Sequence, residues 1–296
     1  MTTWLRRERA PLSERAWLAV DEAVVMAARH VLAGRRVVDL DGPHGWDYVG
    51  VRLGTMRGGT PTPSRPGVSF YVPDVTLLTE LRAPFALPWT MIEAFERGGP
   101  ALETDTIEAA AREVALAEDD YVFGGFGAGG LLEAQGSPHL PLRDWARPGH
   151  VVEDVLAAVE RLDRNGVPGP YALVLDSARY YAYQQAGASD AGYPAGKHLA
   201  RMIAGVHRSA VVRGGALVST RGGDFILTLG GDLSVGYLRH DERAVQLFCV
   251  ESVAFQLRTP GAVCVLGRAE TRGPITSGRA AGPRRRPRSA TARRGA

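Results

Sequence analysis

The sequence predicts an α+β protein, and three observations carry that prediction. Apolar residues recur at threes and fours in two long segments of the first half; two alternating segments flank a breaker-rich tip near residue 60; and the last third is a run of short alternating segments punctuated by glycine pairs. Between them, residues 125 to about 215 mix helical with buried-strand patterns, as a compact α/β lobe does.

Taken in order, Ser13 is placed to cap a helix whose apolar face is Trp17, Val20, Val24, Ala27 and Val31, with Gly34 as its stop. "RRVVDLDG" reads as a short strand. Val51 and Leu53 in "VRLGT" and Val68, Phe70 and Val72 in "VSFYV" read as two strands joined by a long tip, "MRGGTPTPSRPG". Such a ribbon is marginal in water alone, so it requires another surface to lie against. "LLTELRAPFAL" follows as a strand and "PWTMIEAFERGG" as a short helix with Pro88 at its start.

A long helix comes next, with Ile107, Ala110, Val114, Ala117 and Tyr121 on one face and Asp105 and Glu108 spaced as a capping box. It runs into "VFGGFGAGGLL", in which Gly125, Gly127 and Gly130 fit the dinucleotide fingerprint G-x-G-x-x-G. That fingerprint needs a strand before the glycines and a helix after them. Here the glycines end a helix, so they read as its exit and not as a phosphate cradle.

In the middle lobe, "GHVVEDVLAAVERLDRNG" and "KHLARMIAG" read as helices, "PYALVLD" and "SAVVRG" as buried strands. "ALVSTRGGDFILTLGGDLSVGYL" reads as three strands joined through Gly222-Gly223 and Gly230-Gly231, a pattern suited to primed hairpin turns. "VQLFCVESVAFQLR" completes an antiparallel meander as a major strand. One lobe is then discontinuous, built from both ends of the chain with the middle lobe inserted.

Composition narrows the function. The chain has 296 residues, 45% of them hydrophobic, enough for a full core, and the N-terminal apolar run "AVVMAA" is far short of a membrane span. The N-terminus lacks a secretory h-region, which points to the cytoplasm. Cys249 and Cys264 match no zinc spacing and read as buried thiols, and the seven histidines show no metal-binding pairs. No nucleophile elbow is present; Ser189 in "GASDAG" is out of register for one. No catalytic residue, metal or cofactor is implied. Charge is asymmetric: from Gly267 onward nine arginines face one glutamate, so the tail carries +8 and the first 266 residues −5. The tail has no apolar periodicity and is expected to be disordered, either a solvated appendage or an arginine-based tether to an anionic surface.

Seven blocks in order, "APLSERAW", "LAGRRVVDLDGPHGWDY", "ELRAPFAL", "ERGG", "GPYALVL", "STRGGDFILTLGGDLSVGYLRHD" and "AVQLFCVESVAFQLRTPGAV", resemble the encapsulin shell proteins, also known as linocin-type bacteriocins. The resemblance covers about residues 4 to 266. It implies the tailed-phage major capsid fold of the Hong Kong 97 type. Residues 1–48 then hold the N-terminal helix and the start of a peripheral domain, 49–75 an extended loop, and 76–124 the peripheral domain with its spine helix. Residues 125–215 form an axial domain, 216–266 return to the peripheral domain, and 267–296 are the basic tail.

The function so implied is assembly and not catalysis. The partner is the chain itself, as an icosahedral homo-oligomer of sixty copies or a multiple, closing a nanocompartment. The guest is a dye-decolourising peroxidase or ferritin-like protein, linked to oxidative stress or iron storage, whose C-terminal peptide docks on the inner wall. The resemblance places that peptide near Arg35, Val37, Asp39, Leu233, Val235 and Leu247, a charged pair beside an apolar trough. It places Ser189, Asp190, Ala191 and Gly192 at the five-fold pore, where a ring of Asp190 carboxylates favours cations. It leaves room for a flavin stacked on Trp89, and it departs from the family at Gly231, where glutamine is common. A phage capsid protein enclosing DNA and a linocin-type bacteriocin or protease are the competing expectations; the acidic body argues against the first, and the absent signal and triad against the second.

Overall fold

A computed structural model of the chain describes residues 4–62, 65–99, 101–127, 129–147, 149–189 and 202–267. The first helix, α1 (Glu14–Arg29), begins as expected: Ser13 Oγ accepts from the Ala16 amide and donates to Glu96. It ends at Arg29, five residues before Gly34, because Ala33 and Gly34 enter a 3-10 turn, Gly34–Arg36, pinned elsewhere. A short strand β1 (Asp39–Asp41) follows, then β2 (Gly50–Thr62) and β3 (Arg65–Leu77). These two extend through most of the segment expected to be a tip, since Gly58 and Pro61 sit at register shifts that the ladder absorbs without ending.

Next come β4 (Thr79–Pro88), α2 (Trp89–Glu96) and the long α3 (Asp105–Gly124). The capping box at Asp105 is not formed. Thr104 is the N-cap, and its hydroxyl donates to Glu108. At its other end α3 stops on Gly125, whose φ of 71° is left-handed, so the glycine cluster is a helix exit.

Then follow β5 (His139–Leu140), α4 (His150–Arg164), β6 (Tyr171–Leu175), α5 (Ser177–Ser189) and β7 (Ile203–Arg208). In "KHLARMIAG", residues 203–205 belong to β7 and 197–201 lie outside the described residues. "SAVVRG" is a loop, turned by Ser209 Oγ accepting from the amides of Val211 and Val212. The remaining strands are β8 (Gly215–Ser219), β9 (Phe225–Leu229), β10 (Ser234–His240), β11 (Ala244–Leu257) and β12 (Val263–Leu266).

Two five-stranded sheets result. One runs β1-β9-β11-β10, with β4 also paired along β11; the other runs β5-β12-β8-β6-β7. No meander forms. β8 stays beside β6 and β12 while β9 lies parallel to β1, so the chain between them crosses from one sheet to the other. Arg221 clamps Asp224 through two hydrogen bonds there, and Asp39 accepts from the Gly223 amide at 2.5 Å.

Gly230 and Gly231 serve close approach and not a hairpin. The Gly231 amide donates to Ser252 Oγ at 2.8 Å, and a Cβ on Gly231 would fall 2.3 Å from the Trp46 ring. The 216–266 segment therefore divides between the sheets, with β8 and β12 closing the second one.

One apolar core joins both sheets. Helix α3 packs on α1, β4 and β11, and α4 lies over β8 and β12. Cys249 and Cys264 are buried and unbridged; burial pushes their thiols up to about 12 and about 11.

Candidate assembly and docking surfaces

The hairpin stands apart from this core. Each of its strands has 13 residues, so the ribbon is about 40 Å long at the usual rise per residue. Among the described residues neither strand pairs with any other. Large apolar side chains are exposed on both strands, among them Met56 at 62%, Val68 at 55%, Phe70 at 49% and Tyr71 at 60%. Internal order comes from the ladder and from Asp74, which accepts from Thr55 at 2.8 Å and pairs with Arg57.

A second surface lies on the body. Residues Glu80–Ala86 of β4 and Thr106, Ala109, Ala110, Glu113, Val114 and Ala117 of α3 border an open groove of about 800 Å³. The small side chains of Ala109, Ala110 and Ala117 on α3 leave this space beside the sheet. One edge of β4 is bonded to β11, and no strand among the described residues takes the other.

The six residues expected to meet a guest peptide do not form one open trough. Val37, Val235 and Leu247 are buried at 2%, 0% and 0%, inside the core of their own chain. Leu233 is half-buried and packs near Ala28, Leu32 and Val31. Asp39 is exposed but engaged with Gly223. Arg35 is saturated: its guanidinium reaches Glu118 at 2.6–2.9 Å, Glu251 at 2.9 Å and Asp232 at 2.9 Å. Burial works against its charge, but Glu118 and the other two carboxylates outweigh that and raise its pKa.

The surface apolar residues of this region are instead Leu18, Val25 and Met26 on the outer face of α1, each more than half exposed. Leu18 and Val25 are seven apart, two helical turns, so they share one face of α1, while Leu32, beyond the end of the helix, packs near Leu233.

Trp89 is half-buried and tied down. Its indole N–H donates to the Asp241 carbonyl at 2.7 Å, and its ring meets His240 edge-on. Of the pore residues, Ser189 closes α5, and Asp190, Ala191 and Gly192 lie outside the described residues. So does the basic tail beyond Gly267.

Periodicity also missed Glu118 and Asp119. Neither lies on the apolar face that the spacing of Ile107, Ala110, Val114, Ala117 and Tyr121 marks, yet both are 0% exposed. Asp119 accepts from the amides of Ala33 and Gly34; burial pushes its pKa up to about 7 against the pull of those two donors. A visible signal was Glu251, the one charged residue in the strand "AVQLFCVESVAFQL".

A projecting, apolar, self-paired ribbon on a two-sheet body with a long central helix is the architecture of a capsid subunit. The fold matches the virus-like particle from Pyrococcus furiosus with a TM-score of 0.63 at 15% identity, covering 86% of this chain and all of that one. It matches the capsid of Myoviridae phage XM1 with a TM-score of 0.57 at 12% identity, covering 80% and 92%. The family model described as encapsulating protein for peroxidase matches residues 1–254.

Type 1 encapsulin shell proteins from Rhodococcus erythropolis, Rhodospirillum rubrum and Mycobacterium tuberculosis are 37%, 36% and 33% identical to this chain. The matches cover 89%, 88% and 88% of it and 99%, 95% and 98% of theirs. The chain belongs to the encapsulin shell protein family, the self-assembling, capsid-like shells.

Proposed function

We propose that copies of this chain close into an icosahedral cage in the cytoplasm, built through the hairpin, and that the cage encloses a guest enzyme. The observation that carries this reading is the ribbon's apolar surface, exposed on both strands and without a strand partner outside the hairpin among the described residues. Burying it on a neighbour removes that area from water, and the free edge of β4 beside the α3 groove offers backbone partners and apolar walls. A closed symmetric shell repeats each such contact many times.

The guest is a peroxidase of the dye-decolourising type or a ferritin-like protein, held by its C-terminal peptide. The family model's description supports a peroxidase. The peptide docks along Leu18, Val25 and Met26 of α1 toward Leu233, with Asp39 at the rim; Val37, Val235 and Leu247 support this wall from within, and Arg35 holds it in place. Asp190 lines the pore. Trp89 is the flavin contact should a flavin bind.

Electron microscopy of the purified protein tests the cage: round, closed particles are expected, and a stable monomer in neutral buffer overturns it. Co-purification of a peroxidase carrying its native C-terminus tests the guest. Leu18→Asp with Val25→Asp should abolish capture while particles still form, and undiminished capture removes the α1 strip from the docking site.

A further inference from the structure

Where the loop after α1 meets the body, two carboxylates share one nitrogen. Arg35 Nη2 donates to Glu118 Oε2 at 2.6 Å and to Glu251 Oε2 at 2.9 Å. The two side chains are 0% and 1% exposed. Asp232 takes the other terminal nitrogen from the rim, where it is 46% exposed. One guanidinium therefore faces three carboxylates, two of them out of reach of water.

Glu251 Oε1 is moreover a buried oxygen that no donor among the described residues reaches. An orphaned acceptor in the interior is costly, and two carboxylates this close do not both ionise cheaply. A proton on Glu251 removes both costs at once, turning that residue into a donor with the neighbouring Glu118 as acceptor.

We propose that Glu251 is protonated at neutral pH, and that the Glu118–Glu251 pair sharing one proton around Arg35 is a pH-sensitive lock between the post-α1 loop and the α3–β11 body. The groups around it agree. From α3, Asp119 adds a further buried acid beside Glu118, with Asp120 next in the chain. From β11, Cys249 is a thiol held neutral by burial, and from α1, Asp21 is engaged by Arg7.

On β4, Leu81 stands opposite Glu251 on the buried face, and Glu80 and Arg82, one residue to either side, pair with each other on the other face. Burial first and Glu118 second hold Glu251 above the ordinary carboxylate range, and Arg35 offsets them only in part.

The sign follows from linkage. A carboxyl raised in the fold gives its stabilisation in full below its unfolded-state value, about 4, and loses it as pH climbs through the folded value. The lock is closed in acid and at neutrality and loosens in alkali, with Asp119 contributing the lower part of the window, up to about 7. Loosening releases Ala33–Arg35 and with it the C-terminal end of α1.

The test uses the full-length protein in its native assembly, with thermal midpoints measured from pH 5.5 to 9. The wild-type midpoint should fall by several degrees across that range. Glu251→Gln, which keeps a donor and carries no titrating proton, should lose at least half of that slope, and Glu118→Gln, which removes the charge holding Arg35, should lower the midpoint at every pH. A Glu251→Gln protein that follows the wild-type slope overturns the proposal. Infrared spectroscopy gives an answer even if that variant fails to fold: a protonated-carboxyl band is expected at pH 7 in Asp119→Asn protein, and its absence also overturns the proposal.

Discussion

The hairpin and the Arg35 cluster are opposite solutions to the problem of unsatisfied surface. The ribbon leaves Met56, Phe70 and Tyr71 in water and keeps its charges, Arg57 and Asp74, paired along its own ladder. The cluster does the reverse, drawing Arg35, Glu118 and Glu251 out of water and pairing them within one chain. On the proposed assembly, the body carries its own contacts whereas the ribbon finds its partner on a second copy. Assembly and stability are thereby assigned to different residues, and they should fail separately.

The largest effect expected on the ribbon side is loss of the particle. Phe70→Asp with Val72→Asp puts charge into the proposed contact, so size-exclusion chromatography with light scattering should show monomers, while circular dichroism shows the body still folded. Unfolded monomers would erase the contrast between the two regions.

On the cluster side, Arg35→Leu leaves Glu118 and Glu251 buried without their cation and should destabilise the chain by about 3–5 kcal/mol in denaturant titration. Particles that form from such a chain should carry intact ribbons. A loss near zero would mean that Glu118 takes up a proton as well.

A smaller effect sharpens the role of the glycine pair. Trp46 stacks on Trp4 at 4.8 Å and lies against Gly231, so Gly231→Gln must push the indole aside. About 1–3 kcal/mol should be lost, with a change in tryptophan emission. The smallest effect is at the cap: Ser13→Ala removes the acceptor for Ala16 and the partner of Glu96 and should cost about 1 kcal/mol.

Local pattern made much of this legible. The helix at Ser13, the projecting ribbon, the long helix ending at Gly125 and the major strand around Glu251 are each written in residues a few positions apart, where periodicity and turn chemistry act. The site was less legible. Val37, Val235 and Leu247 fit an alternating strand whether their side faces a groove or a core, and alternation does not distinguish the two.

The order of elements from α1 to α3, the apolar ribbon and the resemblance to a shell family follow from the sequence by itself, because each is carried by short segments or by their order along the chain. Which strands pair was decided by the tertiary structure: β8 left β9 for the other sheet, and the glycine pairs became a crossover and a seat for Trp46 instead of two turns. The same holds for the buried charges. Arg35 meets Glu118 across 83 residues and Glu251 across 216, and contacts at such separations leave no local spacing to read. Only packing α3 against β11 removes those carboxylates from water and fixes what each must bind.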